Sequence, residues 1–194
     1  IKNLLGGGAD DTFAFIGSSR LSGTVDGGGG VNTLDYSGYD LGDTTGVVVD
    51  LLSGKASSVG EGLESKVKNI KAVIGSDYGD ELFGDNGDNV FTGGAGGDRL
   101  EGRGGYNTYI LGDDFGTDEV INSSGRGALD LSGINNGLTA DLTPAEATVG
   151  YGTNLLSFTG ISLLKTGTGS DVFNISGTYS LNIESGGGND TFNL

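Results

Sequence analysis

The chain has 194 residues, of which 41 are glycine and one is proline, and its formal charge is −16. Such acidity argues against nucleic acid and against anionic membrane surfaces as partners. With no cysteine and no histidine there is neither disulfide nor thiolate or imidazole metal ligand, and no catalytic triad that needs either residue. No run approaches the roughly eighteen apolar residues of a membrane-spanning helix. Apolar residues make up 35% of the chain, little for a globular core but enough for a thin one.

In chain order, the first signals are two glycine turns. GGGADDTFA from Gly6 carries Asp11 and Phe13 at its sixth and eighth positions, and GGGGVNTLD from Gly27 carries Asn32 and Leu34 there. A longer segment, GVVVDLLSGKAS from Gly46, leads into a β-branched stretch holding Lys66, Lys68 and Lys71, read as a solvated strand face. Four nonamers then follow in register: GSDYGDELF, GDNGDNVFT, GGAGGDRLE and GRGGYNTYI, from Gly75 to Ile110. Their sixth residues are Asp80, Asn89, Asp98 and Asn107; their eighth are Leu82, Phe91, Leu100 and Tyr109.

Directly after the block, GDDFGTDEVI places Asp118 20 residues beyond Asp98, with Asp113 and Asp114 in an acidic turn. GLTADLTPAEAT from Gly137 copies the segment at Gly46 with an offset of 91 residues, and ALDLSG at Ala128 resembles TLDYSG at Thr33 with an offset of 95. The chain is thus expected to be one elongated unit over 1–194, with supra-repeats of about 6–98 and 99–194. The longer copies are expected to be wider circuits of the same coil. Two last turns carry Asp171 with Phe173 and Asp190 with Phe192.

A nine-residue repeat of this kind has a simple physical reading. An x-apolar-x triplet makes one short strand with its middle side chain inward, and Gly, Asp and Asn make the turn. Two units complete a circuit of eighteen residues, so stacked circuits form two parallel sheets around an apolar ladder, which one unit alone is too small to bury. About ten circuits are expected. The sixth residues then stack in columns: Asp80 with Asp98 and Asp118 along one edge, Asn89 with Asn107 along the other, and Asp171 with Asp190 further on. Stacked carboxylates repel unless a hard cation lies between them, and carboxylates with turn carbonyls are the oxygen ligands that Ca²⁺ takes.

The nonamers resemble the hemolysin-type, or RTX, calcium repeat G-G-x-G-x-D-x-U-x, in which U is apolar. The unit from Gly93 to Glu101 matches every defined position. The resemblance implies an all-β, right-handed parallel β-roll or β-helix solenoid with Ca²⁺ held between units n and n+2. Its ligand turns would be those of Asp80, Asp98, Asp118, Asp171, Asp190 and Asp11, with Asn89 and Asn107 on the weaker edge and Gly75, Gly93 and Gly96 in the turns. It further implies a non-catalytic, calcium-folded structural segment of an extracellular protein: an adhesin stalk, surface layer or filament that continues into further repeats or self-assembles. The alternatives are a polysaccharide-binding module, with Tyr39, Tyr78, Tyr106, Tyr151 and Tyr179 as stacking platforms, and the tail of a secreted enzyme or toxin.

Overall fold

The computed structural model describes residues 2–42, 44–63, 66–123, 126–144, 146–178 and 180–194. Among them the chain is almost entirely short strands separated by turns. The first strands are β1 (Leu4–Leu5), β2 (Thr12–Gly17), β3 (Val25–Asp26), β4 (Thr33–Tyr39), β5 (Val48–Asp50), β6 (Lys55–Ala56), β7 (Val67–Lys68) and β8 (Ala72–Ile74). The nonamer block supplies β9 (Glu81–Phe83), β10 (Val90–Thr92), β11 (Arg99–Glu101) and β12 (Thr108–Ile110). Next come β13 (Thr117–Ile121), β14 (Gly127–Asp130), β15 (Thr139–Leu142), β16 (Ala147–Tyr151) and β17 (Asn154–Thr159). The last are β18 (Ile161–Lys165), β19 (Val172–Ile175), β20 (Asn182–Glu184) and β21 (Thr191–Asn193).

Each nonamer makes one three-residue strand, and successive strands go to alternate sheets. One sheet has eight strands in the order β2-β4-β8-β10-β12-β14-β18-β20, all parallel. A second has ten, β21-β19-β15-β16-β17-β13-β11-β9-β5-β6, and a third has three, β1-β3-β7. The architecture is therefore all-β and mainly parallel, consistent with a solenoid. The eight-stranded sheet sets the number of circuits below the ten expected, because the longer segments spend residues on extra strands instead of extra turns of the coil.

The eighth-position residues form the core. In the eight-stranded sheet, Phe13, Leu34, Val73, Phe91, Tyr109, Leu129, Leu164 and Ile183 lie opposite one another in register. In the ten-stranded sheet Val49, Leu82, Leu100 and Val120 do the same, all at 0% exposure. Their neighbours in each triplet point outward, as the period of two requires. Aromatic members stack along the ladder: Phe91 on Tyr109 with ring centroids 5.8 Å apart, and Phe173 on Phe192 at 4.8 Å. Phe192 stands at the edge of its sheet and keeps 47% exposure.

The two longer segments depart from the expected widened circuit, since each carries an antiparallel strand within the sheet. In the second copy β16 runs antiparallel to both β15 and β17, which gives the order β13-β17-β16-β15-β19. The first copy has the same strands in the same sequence, β3-β7 and β6-β5-β9, but among the described residues β7 and β6 are not paired, and the sheet is split there. The reason lies in the residues. Val149 and Leu156 pair across the second hairpin and are buried at 0%, whereas the first copy has Ser58 and Ser65 in their places. Two serines cannot supply the apolar contact that holds β16 to β17, and Ser65 itself lies outside the described residues.

Because Leu100 sits between Leu82 and Val120 with no exposure, Leu100→Ala is expected to lower unfolding free energy by about 2–5 kcal/mol. Leu155→Ala, at a side chain 49% exposed, is expected to change it by only about 0.5 kcal/mol. Urea denaturation of both variants checks this; equal losses would show that the ladder is not what carries stability.

Candidate functional site

The sixth residue of each nonamer immediately precedes its strand, Asp118 being instead the second residue of β13, and the side chain turns back along the edge of the sheet instead of out to solvent. Asp80 donates its backbone N–H to Asp98 Oδ1 at 2.8 Å, and Asp98 donates its own to Asp118 Oδ1 at 2.8 Å. At the near end Val47 donates to Asp80 Oδ1 at 2.6 Å. All three carboxylates are buried, at 1%, 2% and 3% exposure. In the second supra-repeat Leu138 donates to Asp171 Oδ1 and Asp171 donates to Asp190 Oδ1, both at 3.0 Å. Asp11 donates to Asn32 Oδ1 at 2.9 Å. The expected stacking of Asp80, Asp98 and Asp118 and of Asp171 with Asp190 is present, and Asp11 stacks on Asn32 in the same way.

The second oxygen of each carboxylate separates the turns. Asp80 Oδ2 accepts the Ser76 N–H at 2.6 Å, and Ser76 Oγ is 2.8 Å from Oδ1. Asp11 Oδ2 accepts the Gly7 N–H at 2.8 Å. Asp98 Oδ2, Asp118 Oδ2 and Asp171 Oδ2 are buried and have no hydrogen-bond partner. Leaving a buried polar group without a partner costs about 1–3 kcal/mol, and more if it is charged.

On the asparagine edge the same backbone bond is made to an amide, and Asn32 and Asn107 also find acceptors for their amide nitrogens. Asn107 Oδ1 accepts the Asn89 N–H at 2.9 Å, while its amide nitrogen donates to Gly104 O and to Asn122 Oδ1, both at 2.8 Å. Asn32 does likewise, donating to Gly29 O at 3.0 Å and Asn69 O at 2.9 Å. Asn89 Oδ1 accepts from Asp85 N–H, and its amide nitrogen is unpartnered. An amide thus puts a donor where an aspartate puts an anionic oxygen. Asn122, which continues this column, escaped the sequence reading because it lies 15 residues after Asn107, out of phase with the repeat.

Glycine is required at the first position by close approach. A β-carbon on Gly75 would come within 2.1 Å of both Asp80 Oδ2 and Gly93 O, so a carboxylate oxygen and a carbonyl of the next circuit converge on that point. On Gly93 it would meet Asp98 Oδ2 at 2.2 Å. In the turn of Asp98, Gly94 and Gly96 also adopt φ of +108° and +123°, which side chains oppose. No N–H of this turn reaches Asp98 Oδ2, in contrast with the Ser76 N–H in the turn below.

Burial pushes Asp98 up to about 8, with the charges of Asp118 and Asp80 adding to it against the hydrogen bond from Asp80 N–H. Burial likewise pushes Asp118 up to about 7, with Asp80 adding a smaller part. Asp80 is raised by burial despite its hydrogen bonds from Val47 and Ser76. At the open end, the Asp171 N–H and Ser185 hold Asp190 below the ordinary value. Among the described residues no three acidic side chains converge closely enough to hold a metal ion by themselves. Any cation on this edge must therefore draw on turn carbonyls as well.

Other candidates lie apart from the columns. Asp113 and Asp114 are exposed on their turn. Of the tyrosines, Tyr39 is buried at 5% with its ring edge-on to Tyr36, which removes it as a stacking platform. Tyr106 is 40% exposed, Tyr78 and Tyr151 are half-buried, and Tyr179 lies outside the described residues. No helix is long and apolar enough to cross a membrane among the described residues. The sequence matches no protein-family model and no curated protein.

The raised carboxylates set a direction for stability against pH in the metal-free chain. A folded-state pKa above the ordinary 3.8 means that the folded chain binds more protons than the unfolded one between about 4 and 8. Stability in chelator is therefore expected to fall as pH rises from 5 to 8, and Asp98→Asn with Asp118→Asn should flatten that slope. Thermal unfolding across this range checks it; a rise with pH would contradict the burial of uncompensated carboxylates.

Proposed function

We propose that the aspartate edge is a calcium-binding edge and that the chain is a non-catalytic, calcium-stabilised structural segment of an extracellular protein. The observation that carries this reading is the set of buried, partnerless anionic oxygens on Asp98, Asp118 and Asp171, where Asn32 and Asn107 on the other edge place amides that donate to neighbouring oxygens and Asn89 a neutral amide nitrogen without a partner. A bound calcium ion supplies the positive charge that such oxygens lack. Asp98 and Asp118 would hold it with turn carbonyls in the glycine turn of Gly93 and Gly96; Asp80, Asp171 and Asp190 would belong to neighbouring turns of the same kind, whereas Asp11, which leads into β2 and bonds to Asn32, stands on the asparagine edge. Asn89 and Asn107, though counted as weaker ligands from sequence, fit better as a metal-independent edge.

The repeat's likeness to the RTX nonapeptide, and with it a right-handed β-roll, agrees with this reading. An acidic coil bound by calcium only when folded is stabilised by mass action wherever calcium is abundant, as it is outside cells. An extracellular location, a role as stalk, surface layer or filament, and lengthwise continuation or self-assembly are part of the same proposal. The tail of a secreted enzyme or toxin remains the second reading.

Circular dichroism and thermal unfolding in calcium and in chelator test it. Calcium is expected to raise the unfolding midpoint, in a saturable way and well above the effect of magnesium, which demands stricter geometry. Asp98→Asn is expected to weaken the calcium response at least about tenfold, or about 1.4 kcal/mol, while raising stability in chelator, because an amide can donate to its own turn as Asn107 does. Unfolding that is identical in calcium and in chelator would sink the proposal.

A further inference from the structure

Where the sheet splits in the first supra-repeat, a groove opens in the surface. After β6 the backbone curls through Ser58, Gly60 and Glu61, at φ of +61°, +54° and +59°, where the equivalent residues of the second copy form the β16–β17 hairpin. Two of these are not glycine, and a left-handed conformation costs such residues roughly 1–2 kcal/mol each. The curl is pinned in place: Leu21 donates to Ser58 O at 2.7 Å, Gly60 donates to Leu21 O at 2.7 Å, and Tyr39 Oη shares a hydrogen bond with Ser58 Oγ. The second copy is an internal control, since the same strand order closes there without strain. Strain held by surrounding contacts, in one copy of a repeat only, points to a use for the opening.

The opening is a cavity of about 630 Å³, within the roughly 300–1,000 Å³ of small-ligand sites. Its walls carry Arg20 and Glu61, neither of which has an ion-pair partner among the described residues, together with the hydroxyl of Ser22, while the hydroxyls of Ser57 and Ser58 are held by Val48 and Tyr39. Leu41 is its half-exposed apolar residue, above Leu21 and Tyr39, which are each only 5% exposed. Beyond the charges of Arg20 and Glu61, the groove combines a donor-only guanidinium, an acceptor-only carboxylate and a hydroxyl that does both. That set matches vicinal hydroxyls lying beside a C–H face. The charge of −16 on the chain opposes an anionic polymer.

We propose that this groove binds a neutral oligosaccharide, with Glu61 and Arg20 bonded to adjacent hydroxyls and Leu41 under the ring. The assignment is independent of the calcium edge and would stand if that edge held none.

Titration of the whole chain with maltotriose, cellotriose, tri-N-acetylchitotriose and trigalacturonate, followed by NMR shifts of the backbone amides, tests it. At least one neutral trisaccharide is expected to bind with Kd near 1 mM or tighter, about −4 kcal/mol, with shifts centred on residues 20–22 and 57–61. Glu61→Gln and Arg20→Gln are each expected to weaken it at least about tenfold. A closing variant tests the strain argument: Ser58→Val, Val59→Gly, Gly60→Tyr, Gly62→Thr and Ser65→Leu install the turn and the apolar pair of the second copy and keep Glu61. It should fold at least as stably and lose binding. Absence of shifts with all three neutral sugars, tighter binding of trigalacturonate, or undiminished binding in Glu61→Gln would each overturn the proposal. Should the closing variant not fold, the two single substitutions decide alone.

Discussion

Everything along the edges of this coil depends on one hydrogen bond, from the backbone N–H of a sixth-position residue to the side-chain oxygen of the sixth-position residue one circuit on. It recurs from Asp80 to Asp98, Asn89 to Asn107, Asp11 to Asn32 and Asp171 to Asp190, and Asp98 makes the same bond to Asp118, one position later in its turn. A short strand of three residues has few ladder hydrogen bonds of its own, and this bond adds one at the point where the chain leaves the turn. It also fixes side-chain direction. Because Oδ1 must face the preceding circuit, the carboxylate lies within the stack, shielded from water, and its second oxygen becomes a problem that every turn must solve.

The turns solve it in different ways, and the differences map onto chemistry. Asp80 uses the N–H and hydroxyl of Ser76. Asn32 and Asn107 replace the oxygen with an amide that donates to a carbonyl of the same turn. Asp98, Asp118 and Asp171 have no such device. The turn at Gly93, whose sequence fits the repeat most fully, is thus among those left with an unmet demand. In a structural repeat selected only for packing, the most regular unit would be expected to be the most self-sufficient.

Much of this arrangement was legible in the sequence. The period fixed which residues would stack, so the pairing of Asp80, Asp98 and Asp118 and the ladder through Leu82, Leu100 and Val120 followed from counting. Counting alone could not give the direction of the sixth side chain, since a turn former, a surface acid and an inward acceptor all call for Asp or Asn. Nor could it show the contribution of Asn122, whose place in the column comes from a turn of different length. The antiparallel strands β6 and β16 were hidden for a related reason. Two wide circuits and a circuit with a hairpin hold similar numbers of β-branched residues, and only the pairing partner distinguishes them.

The two supra-repeats show how little sequence separates a closed sheet from an open one. With Val149 and Leu156 facing each other, the second copy gains an apolar cross-strand pair and joins β13, β17, β16, β15 and β19 into one sheet. With Ser58 at the matching place, the first copy loses that pair, and the freed backbone turns aside to bond with Leu21. Elsewhere the copies stay in register: Val25 faces Val67 as Val120 faces Phe158, and Leu34 faces Val73 as Leu129 faces Leu164. The divergence is therefore local, confined to the hairpin and the wall of the groove. A coil whose circuits are held independently, by an apolar rung inside and a hydrogen bond at each edge, tolerates such a change because the rungs on either side do not rely on the one that is missing.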